Sequence, residues 1–265
     1  MTIDPTARIE DGAVIGVDTS IGPYCIVGSH VVIGPGCKLI SHVHVTGQTT
    51  IGAGCTIYPY ASLGAPPQSL NYHGELTRLE IGQGCTIREQ VTMNAGTAAG
   101  GGVTKVGDRG HFMNCSHVGH DCVVGDDVTF ATSATLGGHC DVGDFVFMGQ
   151  LAAAHQFVRI GAQAMIEEAS CARGDVIPFG RACGQSAGLV GLNIVGMKHR
   201  KFTGERVAVL EAFYQELFHG PGIFAERLDE AKHLPDADPA IAEILAFIDA
   251  DRHRALCLPA KSGGH

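Results

Sequence analysis

An aliphatic residue recurs at every sixth position along most of this 265-residue chain, and that period decides what the chain can fold into. From Val118 the sequence reads Val-Gly-His-Asp-Cys-Val, Val-Gly-Asp-Asp-Val-Thr, Phe-Ala-Thr-Ser-Ala-Thr, Leu-Gly-Gly-His-Cys-Asp and Val-Gly-Asp-Phe-Val-Phe. The second place is usually Gly, the fifth is small, and the third, fourth and sixth are free. Self-similarity at a fixed period is the mark of a solenoid. With three hexads to a triangular coil, residues 18 apart stack at the inter-strand spacing of about 4.8 Å.

The register runs from Ile3 through Ile21, Ile33, Val45 and Ile57 to Leu63 and breaks over residues 69–80. It resumes at Ile81, breaks again over 98–105, restarts at Val106 and fails after about Ile177. Insertions in a solenoid leave the coil as outward loops, often beside the binding face. Residues 185–200 read as a glycine-rich connector. A helix then starts at Thr203, with Val207, Leu210, Phe213, Tyr214 and Leu217 on one face and Gly220 as its stop. Further helices are expected over 223–233 and 239–255. The expected fold is an all-β solenoid, a left-handed parallel β-helix of hexapeptide repeats over residues 1–184, with a C-terminal α-helical domain over 185–265. Such a cap covers the last coil, whose open edge would otherwise invite pairing.

Composition fits a thin coil: 37 glycines for the corners and no Trp. The formal net charge of −9 argues against nucleic-acid binding, so an acidic or phosphate-bearing partner would need a local basic patch. Lys198, His199, Arg200, Lys201 and Arg206 form the dense one. The N-terminal residues do not read as a signal peptide and no apolar run approaches a membrane span, so a soluble, cytoplasmic protein is expected. Of the ten cysteines, Cys25, Cys37, Cys55, Cys85, Cys122 and Cys140 all fall at the fifth place of a hexad, where small buried side chains belong. They read as structural thiols.

The histidines are what the repeat alone does not need. Stacking at 18 residues puts Gly138 and then Gln156 over His120, with His139 and His155 alongside, and His117 lies three residues before it. A histidine on an outer face is a candidate general base, since its ordinary pKa near 6.5 lets it take a proton at neutral pH. Asp121 could orient it, although neighbours on a strand point opposite ways and only corner geometry would let the two meet. Two other readings compete. Histidines gathered on a β-helix also hold zinc in γ-class carbonic anhydrases, between subunits, and a solenoid face can serve as a non-catalytic scaffold.

Several stretches together resemble the UDP-N-acetylglucosamine O-acyltransferase family, which begins lipid A synthesis. They are His117-Val-Gly-His120-Asp121-Cys122, Leu136-Gly-Gly-His139, His155-Gln156-Phe157, Gly64-Ala-Pro-Pro-Gln68, Leu79-Glu-Ile-Gly82 and Gly191-Leu-Asn193-Ile. The resemblance covers nearly the whole chain. It implies a homotrimer with sites in the clefts between subunits, an acyl carrier protein delivering an (R)-3-hydroxyacyl thioester, and no metal or other cofactor. It implies His120 as the base that deprotonates the sugar 3-hydroxyl, and a backbone N–H, with Gly138 as the candidate, for the oxyanion. Gln68, His139 and Gln156 match residues that contact the nucleotide sugar or acyl donor. His117, His155, Asn193, His199 and Arg200 belong to the same binding region, and the basic cluster would meet the carrier protein and the diphosphate.

The chain also departs from that family. Asn94-Ala95-Gly96 stands where His-Arg-Gly is frequent, and Ser69 and Asn71 replace the Asp and Lys after the glutamine. These positions leave open an alternative acceptor, the 3-amino analogue of the sugar, which would give an amide. Glu167 and Glu168 stand where Gly-Gly is frequent. The residue matching Glu168 closes the far end of the acyl groove, so a shorter acyl chain is expected.

Overall fold

The computed structural model describes residues 2–233, 238–250 and 253–259. Met1 and residues 234–237, 251–252 and 260–265, all but the first assigned above to the helical domain, lie outside them.

Two-residue strands repeat at the hexad period and build three faces of a prism. The first face has eleven strands, from Thr2–Ile3 to Gly188–Leu192. The second has nine, from Arg8–Ile9 to Cys171–Ala172, and the third has eight, from Val14–Ile15 to Arg159–Ile160. All neighbours pair in parallel except the last two strands of the first face. This is the expected left-handed parallel β-helix. Register follows the 18-residue rule, as in Thr2 with Ser20, and steps over the insertions where Thr56 meets Thr86 and Thr92 meets His117.

The inward ladder of Ile21, Val27, Ile33, Leu39, Val45, Ile51, Ile57 and Leu63 is at most 2% exposed. Fully burying one such side chain contributes about 1.5–3 kcal/mol, and β-branched residues suit the pleated surface. All six fifth-place cysteines are free and buried. Five of them, including Cys122, also point Sγ at a carbonyl of the following coil, as Cys122 does at Gly137 O (3.1 Å). Burial pushes the Cys122 thiol well above its ordinary pKa, which keeps it unreactive.

Most corners place a non-glycine residue in the left-handed region, among them Asp121 (φ 62°), His139 (φ 60°) and Phe157 (φ 66°). Each such residue costs on the order of 1 kcal/mol. The cost is offset because its N–H reaches the preceding coil, as His139 N does at His120 O (2.9 Å).

Both insertions are shorter than the hexad period suggests. Arg78–Ile81 and Val103–Val106 are already strands of the third face: each buries every second residue, Leu79 and Ile81 in the first and Thr104 and Val106 in the second, while Arg78, Glu80 and Lys105 point outward. The connector is not irregular either. Gly188–Leu192 returns antiparallel along Gly180–Cys183, and Ile194–His199 forms a short helix, α1, capped by Asn193. Helix α2, Gly204–His219, has Thr203 as N-cap and buries the five predicted apolar residues and Phe218. Helices α3, Phe224–Lys232, and α4, Pro239–Asp249, complete the cap. Expected to reach residue 255, α4 stops where Ala250 turns extended and its buried stripe ends at Ile248. Residues 253–259 instead form an extended strap along the end of the coil. Asp175 N donates to Ala255 O and Cys257 N to Asp175 O, both at 2.8 Å. Arg159 locks α4 to the coil, donating to the fully buried Asp175 carboxylate (2.8 Å) and to Phe247 O (3.0 Å).

Candidate active site

Where the second face turns into the third, three successive coils present Gly119–Cys122, Gly137–Cys140 and His155–Val158 at one corner. The left-handed backbone at Asp121 swings its side chain back to its neighbour, and His120 Nδ1 lies 2.8 Å from Asp121 Oδ2. This contact, which strand geometry alone would forbid, exists because both residues sit on the turn. The carboxylate is fully buried and held from a second side by the insertion. Thr97 N donates to Oδ1 and Thr97 Oγ1 to Oδ2, each at 2.7 Å, while Asp121 N donates to Thr104 Oγ1. The insertion packs so closely that a Cβ on Gly100 would fall within 2.5 Å of the carboxyl atoms.

The imidazole of His120 is buried against Gly138, where a Cβ would stand 2.6 Å from Cε1 and 2.8 Å from Nε2. Glycine at 138 is therefore the seat of the ring, and its N–H donates to no backbone or side-chain group among the described residues. His139 meets His120 edge to face (5.0 Å), approaches Asp121 Oδ2 at 3.6 Å and stacks on Phe157 at 4.5 Å. Burial lowers the pKa of His139, opposed in part by Asp121. His117 bonds Thr92 Oγ1 through Nδ1 (2.7 Å), and burial followed by the nearby His120 lowers its pKa as well. Both flanking histidines are thus held neutral at neutral pH.

His120, Asp121 and His139 each bring a donor atom within 4.8 Å of the others, which is the cluster a zinc reading needs. The donors are already engaged. Asp121 Oδ2 accepts from Thr97 Oγ1 and faces His120 Nδ1, so a cation between them would have to break those bonds. A base oriented by a carboxylate, with Nε2 left to the substrate, fits the geometry better.

Two coils on, His155 and Gln156 share a partner that the repeat pattern did not disclose. Arg254, on the strap, donates to His155 Nδ1 (2.6 Å) and to Gln156 O (2.8 Å), and His253 packs on Phe157 at 5.4 Å. Gln68 is exposed just before the first insertion, and two residues earlier Asn94 Nδ2 donates to Pro66 O (2.8 Å). Asn94 Oδ1 is buried without a partner.

Asn193, His199 and Arg200 do not join this group. They line a cavity of about 510 Å³ on the first face with Phe147, Met165 and Glu167, and the histidine corner is the prism edge opposite that face. Asn193 is largely committed to structure, capping Gly196 N and donating to Gln163 O. Arg200 bonds Gly196 O and Phe145 O, leaving Nε buried without a partner. Arg206 is removed from the basic cluster, because Asp238 accepts from its Nε (2.6 Å) and Nη2 (2.8 Å). Glu168 is exposed at the corner between the first and second faces, stacked over Gln150. It does not adjoin the histidines, since the width of the second face separates the two corners.

The chain is 55% identical over 259 residues to the acyl-[acyl-carrier-protein]–UDP-N-acetylglucosamine O-acyltransferase of Azorhizobium caulinodans, covering 98% of this chain and 96% of that one. The chain belongs to this family. The acyltransferase of the same name from Caulobacter vibrioides is 49% identical, with 98% of each chain covered. Residues 175–257 match the family model described as UDP N-acetylglucosamine O-acyltransferase, domain 2. Among solved structures, the UDP-N-acetylglucosamine acyltransferase of Francisella novicida superposes with a TM-score of 0.94 at 30% identity, covering 98% of this chain and 95% of that one. The UDP-N-acetylglucosamine O-acyltransferase of Moraxella catarrhalis gives 0.92 at 37%, with 97% and 100% covered.

Proposed function

We propose that this acyltransferase moves an (R)-3-hydroxyacyl chain from acyl carrier protein to the 3-hydroxyl of UDP-N-acetylglucosamine, the first step of lipid A synthesis, in the cytoplasm. The observation that carries the reading is the His120–Asp121 pair seated on Gly138 in a chain of this family. His120 Nε2 takes the proton of the sugar hydroxyl as its oxygen attacks the thioester carbonyl. Asp121, on Nδ1, fixes the ring and stabilises the imidazolium that forms. The Gly138 N–H donates to the oxyanion. Collapse of the tetrahedral intermediate expels the carrier thiolate, which recovers the proton from His120.

A homotrimer completes the site. The cavity holding Asn193, His199 and Arg200 lies across the prism from His120, so the two can serve one substrate only if a neighbouring subunit brings its cavity to the histidine corner. The first insertion supports this, since Leu70 is 101% and Leu76 85% exposed, an arrangement that suits burial against another chain. Lys198 and Lys201, both exposed, remain for the acidic carrier protein. No helix among the described residues is long and apolar enough to cross a membrane.

One observation favours the 3-amino sugar as a second acceptor. Asn94 stands beside Gly119, one coil below, with a buried acceptor oxygen unsatisfied. A hydroxyl gives its one proton to His120, whereas an amine keeps an N–H for Asn94. Mass spectrometry of products from both UDP sugars and a panel of hydroxyacyl carrier proteins tests the assignment. An ester on UDP-N-acetylglucosamine as the main product supports it, and amide alone, or no acyl product, overturns it.

A further inference from the structure

The strap of residues 253–259 is fixed to the coil end by more than its ladder hydrogen bonds. Leu189 N donates to Leu258 O (3.2 Å), Cys257 Sγ to Ala187 O (2.9 Å), and the Cys257 side chain is buried. At Gly174 a Cβ would come within 2.6 Å of Ala255 O, so the chain here has no slack. The anchored stretch begins one residue after Arg254, whose guanidinium thereby arrives at the catalytic corner in a defined place.

Its two contacts carry chemical information. Arginine keeps its proton in any protein environment and has only donors. When Arg254 Nη2 meets His155 Nδ1 at 2.6 Å, that nitrogen must accept, and the proton of the neutral ring sits on Nε2. The Nε–H to Gln156 O (2.8 Å) pins the guanidinium as a fork, so the ring cannot rotate away without breaking a charge-assisted bond. The neighbouring His253 ring braces Phe157, which stacks on His139. One short strap thus supports two side chains of the site from the cap side.

We propose that Arg254 is a positioning residue of acyl transfer: it holds His155 as the Nε2–H tautomer, so that this ring presents a donor to an acceptor oxygen of the bound nucleotide sugar. The role rests on the function proposed above, and it concerns binding of the sugar rather than the proton transfer at His120. Arg254→Ala frees Nδ1 and lets the ring exchange between tautomers, while the strap keeps its ladder bonds, Cys257 and its fit at Gly174.

The experiment compares wild type with Arg254→Ala and Arg254→Lys, using steady-state kinetics and the ring ¹⁵N shifts of His155, assigned with His155→Gln. Arg254→Ala is expected to raise KM for the UDP sugar about tenfold, the size of one hydrogen bond to a charged group, with kcat changed less than KM. The His155 nitrogens should move from the Nε2–H pattern to a mixed one, and Arg254→Lys, with a single donor head, should recover part of both effects. Unchanged His155 shifts in Arg254→Ala overturn the proposal. So does a loss of melting temperature with kcat and KM affected alike and the tautomer intact, which would make the strap a structural staple. The nitrogen shifts are read on the free protein, so they test the Arg254–His155 link even if the assigned sugar or donor proves wrong.

Discussion

Adding one methyl group at Gly138 tests the geometry of the base directly. The Cβ of Gly138→Ala would stand 2.6 Å from His120 Cε1, whereas ordinary contact begins at 3.4 Å. The ring must therefore retreat by about 1 Å, away from Gly138 and out of line with Asp121. Gly138 does not occupy the left-handed region, so alanine adds no backbone strain and the coil should fold normally. A misplacement of about 1 Å in a catalytic group costs on the order of 10²-fold in rate, about 2.7 kcal/mol of activation free energy. Steady-state transfer from hydroxyacyl carrier protein, with melting temperature as the control for folding, measures this. A kcat lower by about two orders of magnitude in a protein of near-normal stability is expected. Wild-type kcat in a folded Gly138→Ala protein would refute the claim that the ring works from its seat on this glycine.

Three further outcomes follow from the same geometry. Thr97→Val removes the hydroxyl from the Asp121 carboxylate but leaves the Thr97 N–H in place; kcat should fall about 10- to 100-fold, for a lost hydrogen bond to a charged group of about 1.5–3 kcal/mol, and Thr97→Ser should retain activity. Glu168→Gly removes a side chain from the corner stacked over Gln150; the preferred acyl chain, read from competition among carrier thioesters, should lengthen, and unchanged selectivity would place the end of the groove elsewhere. Asn94→His withdraws the unpartnered Oδ1; the ratio of turnover with the hydroxyl sugar to that with the amino sugar should rise.

What could be read from the sequence was whatever the hexad period controls. Stacking of His120, Gly138 and Gln156 follows from counting residues, as do the buried fifth-place cysteines. The apolar stripe of α2 and its Thr203 cap were equally legible, because a 3.6-residue period and a hydroxyl cap are local signals. The His120–Asp121 contact was not, since it depends on the positive φ of Asp121, and corner residues of many types adopt that conformation. Strands Arg78–Ile81 and Val103–Val106 were hidden within the insertions because they alternate with period two rather than six. Arg254 could not be anticipated, as no repeat links residue 254 to residue 155; only the packed strap does. The same holds for Arg206, whose place in a basic run gave no sign that Asp238 neutralises it from 32 residues away.

We propose His120 as the general base of an acyl transfer to a UDP amino sugar. His120→Ala removes the ring from a site whose surroundings, Thr97 with Asp121 and His139 with Phe157, keep their own contacts. Turnover of this variant with hydroxyacyl carrier protein and UDP-N-acetylglucosamine, measured beside its folding and oligomeric state, should fall by about 10²- to 10⁴-fold in an intact assembly. Near-normal turnover in folded His120→Ala protein would show that another group takes the proton.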